Sequence, residues 1–264
     1  MPVINAHPPG SFCWIELATT DAADARRFYG GLFGWEFDDN PIGPGMVYTT
    51  LRIGSRSLGA MYQINEADQA GGGPLRWLPY VSVADLQGVV DQAVSLGASV
   101  LRGPAALNGL ARTAWIRDPE GALLALWQPG THQGAGIANE PGAMTWHELA
   151  SRDPVKATNF YASVFGWTPR MVVYEETGVY TELVNGAVPV GGILAMPEAW
   201  GGVPAMWMAF FAVRGCDAAI DQAITLGASL EYGPLDIPDI GRYAVLADPQ
   251  CALLAIVQQG YISG

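Results

Sequence analysis

The sequence predicts an α+β protein built from four βαβββ units, arranged as two similar domains. Two repeats in the sequence support this prediction. The stretch 12–35 recurs at 144–167, and the stretch 91–125 recurs at 221–255. Within each half, a strand followed by a helix and further strands occurs twice. Repetition at a fixed offset indicates duplicated structural units, and each half is close to the commonest domain length.

The first repeat carries a Trp-x-Glu pattern, an Asp five residues after the Glu, a Phe-Tyr pair and a Phe-Gly-Trp triplet. The matching residues are Trp14 and Trp146, Glu16 and Glu148, Asp21 and Asp153, Phe28-Tyr29 and Phe160-Tyr161, and Phe33-Gly34-Trp35 and Phe165-Gly166-Trp167. The second repeat shares a Leu-Gly-Ala triplet, an Arg and an Asp-Pro turn followed by Ala-Leu-Leu-Ala. This number of identities at fixed offsets indicates a tandem duplication.

The first unit begins with alternating residues at 12–18, which predict a strand. Asp21 follows, and its carboxylate can accept hydrogen bonds from the free N–H groups of a first helical turn. The helix is expected to reach about Leu32 and to end at Gly34, since glycine commonly follows the last helical residue. Strands are predicted at 46–54 and 57–63. Residues 64–76, which include three consecutive glycines, indicate a flexible link.

The second unit is predicted to contain a strand at 77–83, a helix at 85–96 and short strands near 98–102, 111–117 and 122–128. The same order then repeats along the second half. We therefore predict a first domain at 10–128, a linker at 129–143 and a second domain at 144–260.

Composition excludes several classes of function. The net charge of -12 opposes nucleic-acid binding, which needs a basic face. The longest apolar runs are too short to span a membrane, and the N-terminal residues do not resemble a secretory signal. Three cysteines without CxxC spacing favour reduced thiols and a cytoplasmic location.

In combination, three motifs resemble the vicinal-oxygen-chelate superfamily. They are the strand–Asp–helix–Phe-Tyr–Phe-Gly-Trp pattern, the Leu-Gly-Ala triplet and the Asp-Pro-x-x-Ala-Leu-Leu-Ala ending. This superfamily includes glyoxalases, bleomycin-resistance proteins and extradiol dioxygenases. The resemblance implies that the two units of each domain curl a U-shaped mixed sheet around one cavity. It also implies that, in typical members, a divalent metal holds two neighbouring oxygens of the substrate.

The positions at which this resemblance places metal ligands carry no metal-binding side chains. They are Trp14, Leu78, Trp146 and Met208 on the first strands of the units, and Ala125 and Ala255 on the last strands. A hard divalent cation needs oxygen or nitrogen donors, so we expect neither a metal nor another cofactor. His147 is the histidine on a predicted strand, and alternation should turn it away from Trp146 and Glu148.

Glu16 and Glu148 lie two residues beyond the tryptophans and should share the cavity face. Each has three possible roles: a catalytic acid or base with a raised pKa, a hydrogen-bond anchor for a ligand, or a buried structural carboxylate. The other candidate ligand-binding residues are Trp14, Tyr48, Leu78, Tyr80 and Trp127 in the first domain and Trp146, Met208 and Phe210 in the second.

Arg112 and Arg242 occupy matching positions, and each could bind an anionic ligand. The alternative for each arginine is an ion pair with Asp118, with Asp248 or with one of the two glutamates. Tyr29 and Tyr161 are expected in the core, with their hydroxyls bound to neighbouring backbone.

Three functions remain open from the sequence. The first is a metal-independent binding protein of the bleomycin-resistance type, which holds an apolar or aromatic small molecule in one or both cavities. The second is a metal-free lyase, isomerase or cyclase that uses Glu16 or Glu148 as acid or base. The third is a conventional metal-dependent lyase or dioxygenase. Whether the protein is an enzyme stays open, and a monomer or a homodimer with no nucleic-acid or membrane partner is expected.

Overall fold

The computed structural model describes residues 4–64, 76–174, 178–238 and 240–260. The link expected at 64–76 therefore lies almost entirely outside the described residues. Within the described ranges, the helices are all too short or too polar to cross a membrane.

Each predicted unit contains a strand, a helix and three further strands. In the described part of the first half these are β1 (Phe12–Thr19), α1 (Ala22–Phe33), β2 (Glu36–Gly43), β3 (Met46–Ile53), β4 (Arg56–Gln63), β5 (Arg76–Ser82), α2 (Leu86–Ser95), β6 (Ser99–Leu107), β7 (Ala111–Arg117) and β8 (Leu123–Pro129). No residue range was predicted for β2, the third strand that the βαβββ pattern requires.

The second half repeats this order, with one short 3₁₀ turn added at 198–200. Its elements are β9 (Met144–Ser151), α3 (Pro154–Phe165), β10 (Thr168–Tyr174), β11 (Gly178–Asn185), β12 (Val188–Ala195), β13 (Met206–Ala212), α4 (Cys216–Thr225), β14 (Ser229–Ile237), β15 (Gly241–Ala247) and β16 (Leu253–Gln259).

Each half forms one eight-stranded sheet that curls into a half-barrel. The strand order of the first sheet is β2-β3-β4-β1-β5-β8-β7-β6, and the second sheet repeats it as β10-β11-β12-β9-β13-β16-β15-β14. The sheets are mixed, because β1 runs parallel to β4 but antiparallel to β5, and β5 runs parallel to β8. The predicted fold class is confirmed.

The helix ends explain part of the first repeat. The Asp21 carboxylate accepts hydrogen bonds from the backbone N–H groups of Ala23 and Asp24, each at 3.0 Å. Asp153 caps α3 in the same way. The residue after each helix, Gly34 or Gly166, is in the left-handed region with φ of 71° or 72°, where a side chain would be strained. The caps predicted from the sequence are confirmed.

The two halves are joined by buried hydrogen bonds between tyrosine and aspartate. The Tyr29 hydroxyl donates to Asp248 Oδ2 of the other half at 2.8 Å and accepts from Trp77 Nε1 at 3.0 Å. The expected bond from this hydroxyl to neighbouring backbone is therefore wrong. The acceptor lies 219 residues away in the chain, a distance that no local pattern reveals.

The reciprocal contact is also present. Tyr161 donates to Asp118 Oδ2 at 2.8 Å and accepts from Trp207 Nε1 at 2.8 Å. The tryptophans of the Phe-Gly-Trp triplets also cross between the halves, since Trp35 Nε1 donates to the carbonyl of Gly142 and Trp167 Nε1 to that of Gly10, both at 2.8 Å. The repeated aromatic residues thus hold the two domains together around an approximate two-fold axis.

Replacing Tyr29 with Phe should destabilise the protein by about 1–3 kcal/mol, because it leaves a buried carboxylate oxygen and a buried indole N–H without partners. Tyr161→Phe should cost a similar amount. Urea unfolding of both variants tests this prediction. The exposed Tyr232 offers the control, and Tyr232→Phe should change stability by less than about 0.5 kcal/mol. Equal effects at Tyr29 and Tyr232 would contradict the role given to the crossed contacts.

Candidate functional site

In the first domain, Glu16 is held by two tyrosines. The Tyr48 hydroxyl donates to Glu16 Oε1 and the Tyr80 hydroxyl to Oε2, both at 2.6 Å. The carboxylate lies on β1, between β4 and β5, and only 7% of the residue is exposed. Both of its oxygens therefore have protein partners.

Aromatic side chains surround this carboxylate. Trp14 Nε1 donates to the Tyr48 hydroxyl at 3.2 Å, and Trp115 Nε1 donates to the Tyr80 hydroxyl at 3.1 Å. The indole of Trp14 also packs near Trp127, with ring centroids 6.4 Å apart, and against His132 of the linker at 4.8 Å. Glu16 thus lies beneath a layer of interlocked rings.

Burial raises the pKa of Glu16, and the two tyrosine hydroxyls are the main opposing influence. The positive charge of Arg102, whose guanidinium lies 5.1 Å from the Trp115 ring centroid, also favours the ionised form. The surroundings of Glu16 are those of a satisfied, structural carboxylate.

In the second domain, the corresponding carboxylate opens onto a cavity of about 410 Å³. The residues that line it include aromatic, aliphatic and a few polar side chains: Trp146, Glu148, Tyr174, Tyr180, Glu182, Pro189, Leu194, Phe210, Ile237, Ile240, Tyr243, Val257, Gln259 and Gly260. Trp146 Nε1 donates to the Tyr180 hydroxyl at 2.9 Å, as Trp14 does to Tyr48. A cavity of this size can take a drug-sized molecule.

The two domains differ because bulky residues of the first are replaced by smaller ones in the second. Strand register places Tyr62 opposite Tyr48 but Leu194 opposite Tyr180. By the same comparison, Tyr80 corresponds to Phe210, Trp115 to Val245 and Trp127 to Val257. One pair changes the other way, because the small Thr113 corresponds to the larger Tyr243. The exchange of Tyr80 for Phe210 also removes the second hydroxyl donor, and two exchanges of Trp for Val remove the covering rings.

Burial raises the pKa of Glu148 to about 7. The hydrogen bond from the Tyr180 hydroxyl acts in the opposite direction, because it favours the ionised form. The carboxyl is surrounded by protein, yet the residue is partly accessible, because its exposed surface is the cavity itself. A carboxyl that titrates near neutral pH in an apolar cavity can donate or accept a hydrogen bond or a proton.

The other predicted site residues on β5, β9 and β13 are placed as follows. Trp146 and Phe210 line the second cavity, as predicted. Leu78 is opposite Glu16 and Met208 is opposite Glu148 across the strand pairs, and both are buried.

Neither predicted arginine reaches a cavity. Arg112 is exposed and its only described contact is to Gln128 at 3.5 Å, next to the start of α2. Arg242 binds Asp217 and Asp236, with N–O distances of 3.0 Å. Each arginine directly precedes an inward-facing residue, Thr113 or Tyr243, so alternation turns it to the helix side.

The expected ion pairs with Asp118 and Asp248 are also wrong. These carboxylates instead accept hydrogen bonds from Tyr161 and Tyr29, and from backbone N–H groups of their own turns.

His147 lies on the helix side of its strand, as alternation predicts. Its ring stacks on Phe12 with centroids 3.9 Å apart, and Nε2 has no hydrogen-bond partner among the described residues. Burial lowers the pKa of this imidazole to about 3, so it is neutral. It is part of the packing between the domains.

The described residues do not fit a divalent metal. Across the described ranges, no three His, Cys, Asp or Glu side chains are grouped closely enough to hold one. The oxygens of Glu16 are taken by tyrosine hydroxyls, and the positions implied by the resemblance carry indole, thioether, isobutyl and methyl groups. Such a donor set lacks the several oxygen or nitrogen ligands that these cations require.

Sequence reasoning missed several cavity residues. Tyr180 could have been found, because it lies 132 residues after Tyr48, at the offset of the first repeat. Tyr174, Ile237 and Tyr243 are not among the residues that the two halves share. His132 in the linker was not expected to contact Trp14. Only the curled sheet brings these residues together.

The comparisons with known proteins agree with this architecture. The model of the Glyoxalase/Bleomycin resistance protein/Dioxygenase superfamily matches residues 11–126. The protein named "Putative glyoxylase CFP32" in Mycobacterium tuberculosis is 36% identical over 259 residues, covering 98% of both chains. The anthracycline biosynthesis protein DnrV of Streptomyces peucetius is 32% identical, covering 96% of this chain and 95% of its own. The chain belongs to the glyoxalase/bleomycin resistance/dioxygenase superfamily.

Solved structures share the fold at low sequence identity. The Mn(II)-bound glyoxalase from Novosphingobium aromaticivorans has a TM-score of 0.64 at 12% identity, covering 95% of this chain and 82% of its own. A variant of homoprotocatechuate 2,3-dioxygenase from B. fuscum has a TM-score of 0.63 at 17% identity, covering 98% and 74%. At this identity the likeness shows the fold alone.

The Glu148 carboxyl should titrate with a midpoint near pH 7 in carbon-13 NMR spectra, and the signal should be absent from Glu148→Gln. Tyr180→Phe should move the midpoint upward, because it removes the hydrogen bond that favours the ionised form. A midpoint near the ordinary value of 4.5 would contradict the burial assigned to this group.

Stability should follow the same titration. The folded-state pKa is raised above the ordinary value, so the folded protein binds more protons than the unfolded chain between about pH 4.5 and pH 7. The free energy of unfolding should therefore fall as the pH rises through this window. In Glu148→Gln, this contribution to the decrease in the free energy of unfolding should be absent.

Proposed function

We propose that this protein binds an apolar or aromatic small molecule in the cavity of its second domain, without a metal, and that Glu148 anchors a hydroxyl or amine of that ligand. One observation carries the proposal. The second domain retains the Trp-x-Glu strand and, as Tyr180, the tyrosine that is Tyr48 in the first domain. It replaces the two covering tryptophans, Trp115 and Trp127, by Val245 and Val257. The first domain is proposed to be a structural partner.

The chemistry of the cavity supports this ligand class. Trp146, Phe210 and Tyr243 supply flat ring surfaces, and Leu194 and Val257 supply aliphatic contacts. Rings of this kind favour stacked or edge-to-face contacts with an aromatic ligand. The single hydrogen bond from Tyr180 leaves Glu148 with free acceptor capacity, and a ligand donor that met it inside an apolar cavity would fix the orientation of the ligand.

The names of two relatives point the same way. DnrV and DauV, at 32% and 31% identity over nearly the whole chain, are named as anthracycline biosynthesis proteins. Anthracyclines are polycyclic aromatic compounds that carry hydroxyl groups. We therefore propose a fused-ring phenol as the ligand class for this chain.

The proposal predicts that the wild type binds 2-naphthol saturably, as measured by calorimetry, and binds naphthalene more weakly. Glu148→Gln should weaken 2-naphthol binding by about tenfold, because a charge-assisted hydrogen bond is replaced by a neutral one. Leu194→Tyr should abolish binding, since it installs the side chain that the first domain carries at this position as Tyr62.

Two controls keep the result specific. Glu16→Gln removes the matched carboxylate of the first domain and should leave the affinity unchanged. Tyr62→Leu makes the reverse exchange and should not impair binding. Loss of binding in the Glu16 variant with retention in the Glu148 variant would refute the assignment to the second domain.

A second function has its own supporting observation. The pKa of Glu148 near 7, in a cavity that a ligand could enter, suits a general base. A metal-free lyase, isomerase or cyclase would use this carboxylate to remove a proton from carbon and return one to a different atom.

This alternative predicts that the wild type accelerates exchange of the α-hydrogens of 2-tetralone for deuterium in D₂O, as followed by proton NMR. In each exchange Glu148 would take a proton from carbon and the resulting enolate would take up a deuteron. Glu148→Gln should slow the exchange by roughly 100-fold or more, and Glu16→Gln should not. Binding of 2-naphthol without any accelerated exchange would favour a binding protein over the enzyme.

A further inference from the structure

A separate cavity of about 160 Å³ lies between the two domains. It is lined by matching residues from both halves, namely Arg76 and Met206, Trp77 and Trp207, Gly121 and Cys251, and Leu123 and Leu253, together with Pro204, Ala205 and Met208. The cavity therefore lies on the approximate two-fold axis that relates the domains, and it is distinct from the cavity beside Glu148.

Arg76 breaks the symmetry of this cavity. It begins β5 in the first domain, and Met206 begins β13 at the equivalent place in the second. The other matching pairs join Trp with Trp, Leu with Leu, and Gly with Cys. Arg76 is thus the one charged side chain among the residues that line the cavity.

No carboxylate in the described part of the chain neutralises this arginine. Arg76 takes part in none of the described ion pairs. Burial, and to a smaller extent the positive charge of Arg117, lowers the pKa of Arg76 to about 10. The guanidinium stays charged at neutral pH. A half-buried cation is costly when the described residues offer it no counter-charge.

We propose that this interdomain cavity is a binding site for a small organic monocarboxylate, which Arg76 holds through its guanidinium. The fork of N–H donors on arginine matches a carboxylate in a bidentate arrangement. The remaining walls, Trp77, Trp207, Leu123, Leu253 and Met206, are apolar and suit a hydrocarbon tail.

Size and charge narrow the ligand class. At about 30 Å³ for each water, the cavity holds roughly five water molecules, which suits a short aliphatic acid better than a fused-ring compound. One cation balances a monocarboxylate. A phosphate would bring up to two negative charges and three or four oxygens to a cavity that is lined by one cation and mostly apolar walls.

The test follows the methyl groups of Met206 and Met208 by carbon-13 NMR during titration of the full chain with butyrate. The Met206 signal is assigned from the Met206→Leu spectrum. Butyrate should shift these signals saturably and raise the Tm of the wild type, whereas butanol, which has the same tail but no charge, should do neither. Binding should persist in Leu194→Tyr, since the fused-ring cavity is elsewhere.

Arg76→Met is the decisive variant, because it places in the first domain the side chain already found at the matching position of the second. It should weaken butyrate binding by at least about tenfold and raise the Tm without ligand, since it removes a half-buried cation that has no counter-charge among the described residues. Arg76→Gln should lose binding in the same way. Arg112→Met, which removes an exposed positive charge elsewhere, should bind butyrate like the wild type.

Three results would overturn the proposal. They are the absence of any saturable shift with butyrate in the wild type, equal shifts with butanol, and unchanged butyrate affinity in both Arg76 variants.

Discussion

The antiparallel pairing at the centre of each sheet is the constraint on which the site depends. In the first domain, β1 pairs with β5 so that Glu16 is opposite Leu78 and Trp14 is opposite Tyr80. The second domain repeats this register with Glu148 opposite Met208 and Trp146 opposite Phe210. Because side chains alternate along a strand, a shift of one residue would move the carboxylate to the helix side. The register therefore decides that each glutamate faces the interior of its half-barrel.

The same backbone then supports two different environments. Tyr48 and Tyr80 bind both oxygens of Glu16 under a layer of indole rings, whereas Glu148 keeps one tyrosine and opens onto a cavity. Replacing a tryptophan by a valine removes many packing contacts without changing the strand that carries it. A duplicated domain can in this way keep one copy for packing and adapt the other for a ligand, without a new fold.

The interface between the domains depends on exchanged contacts. Each domain supplies a tyrosine to an aspartate of the other, and the acceptor aspartates are held by backbone N–H groups of their own Asp-Pro turns. These symmetric contacts make the asymmetric position at Arg76 and Met206 stand out. Two of the four matching pairs that line the cavity are identical, and Arg76 opposite Met206 is the pair that places a charge on one side only.

The sequence alone determined the duplication, the four units, the helix caps and the face of the sheet on which Glu16 and Glu148 lie. All of these follow from local chemistry or from a fixed offset, such as an Asp before a helix or alternation along a strand. The tertiary structure decided which carboxylate is accessible, where the arginines point and which groups the tyrosines bind. Those outcomes depend on residues 30 to more than 200 positions apart. Side-chain volume on neighbouring strands, as at Trp127 and Val257, decides whether a cavity stays open, and a local sequence pattern does not contain that information.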